Sequence, residues 1–129
     1  MSLLCKCGSG NEYQVCCGKY IDDNFLPETP EQLMRSRYTA YVFGKIDYII
    51  KTMQGKALKK FKPSKSDLNE HKVEWQKLEL IKHIMQNNKG FVEFKAYYLD
   101  GGQLNCMHEL SEFKRKNGQW FYIDGEILN

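Results

Sequence analysis

The spacing of hydrophobic and polar positions changes about halfway along the chain. Leu33, Met34, Tyr38, Tyr41 and Val42, with Arg37 on the same stripe, recur at the three-and-four spacing of a helix. Thr29 offers an N-cap, Pro30 suits the first helical position, Gln32 completes a capping-box pattern, and Gly44 is a stop signal. A second helix is predicted over Ile46–Met53, ending near Gly55, and the Lys-rich stretch Lys56–Glu70 reads as a short helix or an irregular connection. Beyond Trp75 the period falls to two. Val92, Phe94, Ala96 and Tyr98 alternate with Phe91, Glu93, Lys95 and Tyr97, as in a sheet with one buried face. Four strands are predicted at Trp75–Met85, Phe91–Leu99, Gln103–Arg115 and Trp120–Glu126. They are separated by Asn87-Asn88-Lys89-Gly90, Asp100-Gly101-Gly102 and the hairpin signal Asn117-Gly118. Helices followed by a four-stranded antiparallel meander make an α+β pattern. A curved sheet with helices packed on one face leaves a cone-shaped cavity, a common place for ligands.

Composition narrows the class. The 129 residues suit one domain with a small appendage, and an aromatic content of 13% argues against disorder. Mean hydropathy is −0.59, and no apolar run approaches the roughly 20 residues of a membrane span. The opening MSLLCKCGSG lacks the long apolar stretch of a signal peptide, so a cytoplasmic protein is expected. Nineteen Lys and Arg against sixteen Asp and Glu give a formal charge of +3, short of the bias of a nucleic-acid binder. No repeat or low-complexity tract occurs.

The cysteines carry the clearest chemistry. Cys5, Cys7, Cys16 and Cys17 fall within thirteen positions, and Cys106 stands far from them. In a cytoplasmic setting a metal site is favoured over a pair of disulfides or idle thiols. Four soft thiolates match the tetrahedral demand of a structural Zn²⁺. Gly8 and Gly10 would let the chain fold back around the ion, and Tyr13 would pack over the knuckle. A segment of this length cannot build a core, so metal binding would supply its folding energy. Four thiolates and one Zn²⁺ would also remove two charges, leaving the chain at +1.

CKCGSGNEYQVCCG resembles the SEC-C motif, the zinc-binding tail known from the SecA translocation ATPase, with Cys17 where SecA-type tails often carry His. LMRSRYTAYVFGKIDYIIKT (33–52) and NGQWFYIDGE (117–126) extend the resemblance to the YchJ family, also called UPF0225, over nearly the whole chain. The resemblance implies a four-cysteine zinc knuckle over residues 1–20 followed by an NTF2-like α+β cone over residues 21–129; it implies no known activity. The chain departs from the family pattern in places. Met53-Gln54-Gly55 replaces a Trp-His-Pro common among relatives. Glu109-Leu110-Ser111-Glu112-Phe113 replaces Glu-Arg-Ser-Arg-Phe, which puts an anion site built from those arginines in doubt. Longer relatives end in a second SEC-C motif; with none before Asn129, no bridging by paired knuckles is expected.

Other candidates are weaker. Arg37, Tyr38, Tyr41, Trp75, His108 and Tyr122 are candidate cavity-lining residues, with Arg37 favoured as half of an ion pair between helix and sheet. His108 and Glu109 are neighbours in a strand and point to opposite faces unless a bulge intervenes, a poor geometry for a catalytic dyad, but either could line the cavity with Tyr38, Tyr41, Trp75 or Tyr122. His71 and His83 read as surface residues, Cys106 as a small core residue, and Lys56, Lys59, Lys60, Lys62 and Lys65 as a solvated basic face. No phosphate loop, Ser-His-Asp order or paired catalytic carboxylates stand out, so no catalytic residue is assigned. The expected function is a protein-interaction or adaptor module, with the knuckle surface (Lys6, Asn11, Glu12 and Lys19) meeting a protein partner. The alternative is small-ligand binding or enzymatic chemistry in the cone; nucleic acid ranks third and no membrane is expected.

Overall fold

The structure is a computed structural model that describes residues 3–61 and 73–128. Its elements run in the order helices then strands: α1 (Cys17–Ile21), α2 (Pro30–Phe43), α3 (Ile46–Lys51) and α4 (Gly55–Lys60), then β1 (Glu74–Gln86), β2 (Lys89–Asp100), β3 (Gln103–Lys116) and β4 (Gln119–Ile127). The strands form one antiparallel meander in sequence order. Both the α+β class and the four-stranded sheet agree with the pattern along the chain.

Local chemistry fixes most boundaries. The backbone N–H of Gln32 donates to Thr29 Oγ1 at 3.1 Å, and Gly44 ends α2 in the left-handed region. Gln32 Oε1 in turn accepts from the backbone N–H of Glu28 at 2.7 Å, one residue before the cap. The Asn117-Gly118 and Gly101-Gly102 pairs take positive φ throughout, as two-residue hairpins of the twisted type require. Lys89 and Gly90, expected in a turn, already belong to β2. α3 stops two residues before Met53, because Met53 bridges in parallel to Tyr122 and the backbone N–H of Tyr122 donates to Thr52 at 2.8 Å. The basic run begins on α4, where Lys56, Lys59 and Lys60 are exposed. Lys62, Lys65, His71 and the rest of that predicted connection lie outside the described residues.

The sheet curves because extra residues break the register near Gln76, Ile81 and Ile123. Its concave face buries Leu78, Val92, Phe94, Ala96, Phe113 and Trp120 against Leu33, Met34 and Tyr38 of α2. A second cluster joins Ala40, Tyr48, Ile49, Met53 and Ala57 with Tyr20 of α1. α2 is therefore enclosed beyond the stripe its sequence shows: Ser36, Thr39 and Ala40 are all fully buried. Its hydroxyls are satisfied, Ser36 Oγ by Leu33 O at 2.9 Å and Tyr48 Oη at 2.7 Å. The connection from α1 to α2 is tied down by Trp120, whose Nε1–H donates to Glu28 O at 3.1 Å.

Burial pushes the phenols of Tyr38 and Tyr48 up to about 12. The unfolded chain releases these protons at the ordinary 10.0 while the folded chain keeps them. Folding stability is then at its full value below pH 10 and falls as pH rises towards 12. Thermal melts across that range should show a declining Tm, and Tyr48→Phe should flatten the decline; a pH-independent Tm there contradicts the assignment.

Candidate metal centre and cavity

The N-terminal segment folds back on itself. Leu4 bridges antiparallel to Glu12, the Cys5 N–H donates to Asn11 O at 2.8 Å, and the Tyr13 N–H donates to Leu3 O at 2.9 Å. Gly8 and Gly10 turn the chain between these two stretches at φ of 81° and 87°. A single 3₁₀ turn over Tyr13–Val15 then delivers Cys16 and Cys17 to the first pair. Gly18 follows at close quarters with Tyr13, since a Cβ there would sit 2.7 Å from the Tyr13 carbonyl oxygen. Tyr13 lies edge-on to Phe43 and donates to Asp22 Oδ2 at 2.9 Å.

The result is four sulfur atoms all within 4.8 Å of one another. Cys7 Sγ and Cys16 Sγ are 3.6 Å apart, far beyond the roughly 2.05 Å of a disulfide and close to the roughly 3.8 Å edge of a tetrahedral thiolate site. None of the five cysteines, all among the described residues, is in a disulfide. Ser9 Oγ stands 3.2 Å from Cys16 Sγ and Thr39 Oγ1 stands 3.7 Å from Cys5 Sγ, hydroxyls placed to donate to thiolates. Arg35 Nη1 donates to Cys7 O at 2.8 Å and brings a positive charge beside the cluster. Hydrogen bonds from Cys17 and Cys7 pull the Cys5 thiol well down. Hydrogen bonds with Cys5 and Cys7 hold Cys17 up, and burial raises Cys16. Four thiols so close cannot all ionise unless a cation compensates them. The donor set fits a metal ion, and such an ion would supply positive charge and a covalent-strength cross-link between the two cysteine pairs.

The knuckle is welded to the rest of the chain. Cys5, Cys7 and Cys17 share one buried cluster with Leu33, Tyr38, Leu78 and Val92. Of its outer residues, Lys6, Asn11 and Glu12 are exposed, while Lys19 is half-buried with Nζ 5.1 Å from the Tyr20 ring.

A cavity of about 250 Å³ lies between α2 and the concave sheet face, lined among others by Arg37, Tyr38, Tyr41, Trp75 and Tyr122. His108 is not among its lining residues. Strand alternation turns Met107, Glu109 and Ser111 into the cavity and His108 to the opposite face, where Nε2 meets Glu93 Oε2 at 2.7 Å. Cys106 shares that outer face and is half-buried, so it is not the core residue its apolar character suggested. Leu110 and Glu112, the positions where the family resemblance implies an anion site, alternate outward too, so such a site would lie outside the cone. His83 is exposed, 3.3 Å from Glu31.

Arg37 corrects a second expectation. It is 4% exposed, yet among the described residues no carboxylate lies within ion-pair distance of it. Nη1 instead donates to Ile49 O at 2.8 Å and Thr52 Oγ1 at 2.7 Å, and the guanidinium stacks 4.6 Å from the Tyr122 ring centroid. Burial lowers its pKa. Glu109 Oε2 accepts from Ser111 Oγ at 2.6 Å and Tyr122 Oη at 3.2 Å. Burial, then the Glu109 carboxylate, hold the Tyr122 phenol well above its usual range, so it stays a donor. Gly125 leaves room for this group: a Cβ there would come within 2.7 Å of Glu109 Oε2. Sequence reasoning leaves Glu109 as one of two strand neighbours, with His108, that could line the cavity, and does not single out Ser111; the available signal was the i, i+2 phase of Glu109 and Ser111 in a strand.

A four-cysteine knuckle able to hold a metal ion, docked on a helix-covered, cavity-bearing sheet, defines an α+β cone. The family model for the middle NTF2-like domain of YchJ matches residues 29–125. The chain belongs to the YchJ (UPF0225) family. It is 40% identical to a UPF0225 protein of Vibrio parahaemolyticus, over 97% of this chain and 75% of that protein. It is also 40% identical to the UPF0225 protein YchJ of Shigella dysenteriae, over 97% and 84%. The solution structure of a SEC-C motif containing protein from Rhodopseudomonas palustris superposes with a TM-score of 0.85 at 32% identity, covering 97% of this chain and 98% of the other. A crystal structure of a SEC-C motif containing protein from Psychrobacter arcticus gives 0.78 at 30% identity, over 97% and 82%. No described helix is long and apolar enough to cross a membrane.

Two outcomes follow from this geometry. Co²⁺ added to reduced protein should give the intense charge-transfer bands of a tetrahedral thiolate site. Cys16→Ser should weaken that binding sharply and lower the Tm of the metal-loaded protein; unchanged spectra would show that Cys16 is no ligand. Gly125→Ala should displace Glu109 and Tyr122 and cost about 1–3 kcal/mol by overpacking, read by denaturant unfolding.

Proposed function

We propose that the protein is a cytoplasmic zinc-binding adaptor whose knuckle meets a protein partner. The observation that carries this is the sidedness of the knuckle. Its sulfurs face inward, while Leu3, Leu4 and Val15 stand 80%, 65% and 65% exposed beside the charged Lys6 and Glu12. Zinc suits the site because an all-thiolate, tetrahedral donor set is soft and needs no further ligand. The metal's role is then to set the shape of a surface, with no open coordination position for catalysis. Exposed apolar side chains rimmed by charge are the usual composition of a binding patch.

A second reading rests on the cavity. A buried guanidinium and a carboxylate share the neighbour Tyr122 inside a mostly aromatic pocket, the arrangement of few polar groups among apolar walls that small ligands use.

The adaptor reading is tested by purifying a captured partner and measuring its affinity for wild type and for Lys6→Glu combined with Val15→Asp. Affinity should fall at least about tenfold, roughly 1.4 kcal/mol, with zinc content and Tm unchanged. Equal affinity would remove the knuckle surface from the interaction.

A further inference from the structure

We propose that the cavity takes a small, neutral, flat heterocycle carrying a carbonyl acceptor beside an N–H donor, as a lactam or cyclic imide does. This deepens, and rests on, the reading of the cavity as a ligand site. The argument starts from unused hydrogen-bonding capacity. Among the described residues, both hydrogen bonds of Arg37 use Nη1, to Ile49 O and Thr52 Oγ1. No fully buried side-chain polar atom among the described residues lacks a partner. The remaining N–H groups of this cavity-lining guanidinium therefore meet open cavity space. Glu109 has the complementary surplus: Oε2 takes both hydroxyl donors, from Ser111 and Tyr122, and no donor among the described residues reaches Oε1.

Charge then selects the ligand. The two opposite charges are not paired with each other, so each remains open to its half of a donor–acceptor edge. A monoanion would satisfy Arg37 but meet the Glu109 carboxylate in a poorly hydrated space, and a cation would meet the reverse conflict. A neutral edge offering C=O to Arg37 and N–H to Glu109 serves both without adding net charge. Each bond would be charge-assisted, the stronger kind. Size and shape agree. About 250 Å³ is at or below the small end of ligand pockets, which admits a single ring system and excludes a dinucleotide or a fatty chain. Trp75, Tyr38, Tyr41 and Phe94 give that ring aromatic walls, with Trp75 at 5.9 Å from Tyr38 and 6.3 Å from Tyr41 between centroids.

The test uses the full metal-loaded chain and three probes: 2-pyridone, N-methyl-2-pyridone and benzoate. Binding is followed by ¹H–¹⁵N spectra through the indole N–H of Trp75, with the buried Trp120 indole as an internal reference. 2-Pyridone should shift Trp75 saturably and leave Trp120 unmoved. Removing the N–H by methylation, or replacing the ring with the anion, should weaken binding roughly tenfold or more. Glu109→Gln should weaken 2-pyridone by roughly tenfold while the Tm stays near wild type. N-methyl-2-pyridone or benzoate binding as tightly as 2-pyridone would overturn the ligand class and leave the cavity reading standing. Failure of all three to move Trp75 would overturn both.

Discussion

Four sulfur atoms close enough to hold one cation are packed against a single helix, and the rest of the molecule is arranged around that contact. Left as thiols, they are a crowded and poorly satisfied group. Held by one ion they become a rigid wedge whose inner sulfurs belong to the same core as Val92 and Trp120. The knuckle has no core of its own, so its folding and its docking are one event. Loss of the ion would therefore loosen one wall of the main hydrophobic cluster as well as a terminal loop.

The helix that receives this wedge also builds the cavity. Arg35 and Thr39 of α2 reach the knuckle through Cys7 O and Cys5 Sγ. Ser36 reaches α3 through Tyr48, and Arg37 crosses to Ile49, Thr52 and the Tyr122 ring. A helix enclosed on so many sides must bury polar side chains, and each is matched by a backbone, hydroxyl or sulfur partner, which keeps the cost of burial low. The cysteine cluster and the cavity thus stand on nearby residues of one element. A displacement of α2 along its axis would be felt by both.

The sheet contributes curvature and a polar corner. Breaks in register bend the strands around α2, and Gly125 lets Glu109 and Tyr122 close against the β4 backbone. The remainder of the concave wall is apolar or aromatic. Polarity is concentrated where Arg37, Glu109, Ser111 and Tyr122 converge, so orientation of a guest would be set at one end and its fit by the walls.

Local signals carried most of the architecture in the sequence itself. Turn residues with positive φ, the Thr29 cap, the alternation of Val92, Phe94 and Ala96, and the close spacing of four cysteines each act over a few residues and read directly. So did the family, because its motifs are contiguous. What depended on the third dimension was not legible. His108 and Glu109 are adjacent in the chain, and only the phase of β3 against α2 decided that Glu109 and Ser111 face the cavity while His108 pairs with Glu93. The stripe on α2 suggested one buried face, whereas the docking of the knuckle and α3 buries Ser36 and Thr39 as well. Arg37 looked like half of an ion pair; its partners proved to be a carbonyl, a hydroxyl and a ring from segments 12 to 85 residues away. The sequence determined which elements form and where the thiolates cluster, since those follow from short-range sterics and ligand chemistry. Which side chains share a cavity was decided by long-range packing alone, because it depends on how separately formed surfaces meet.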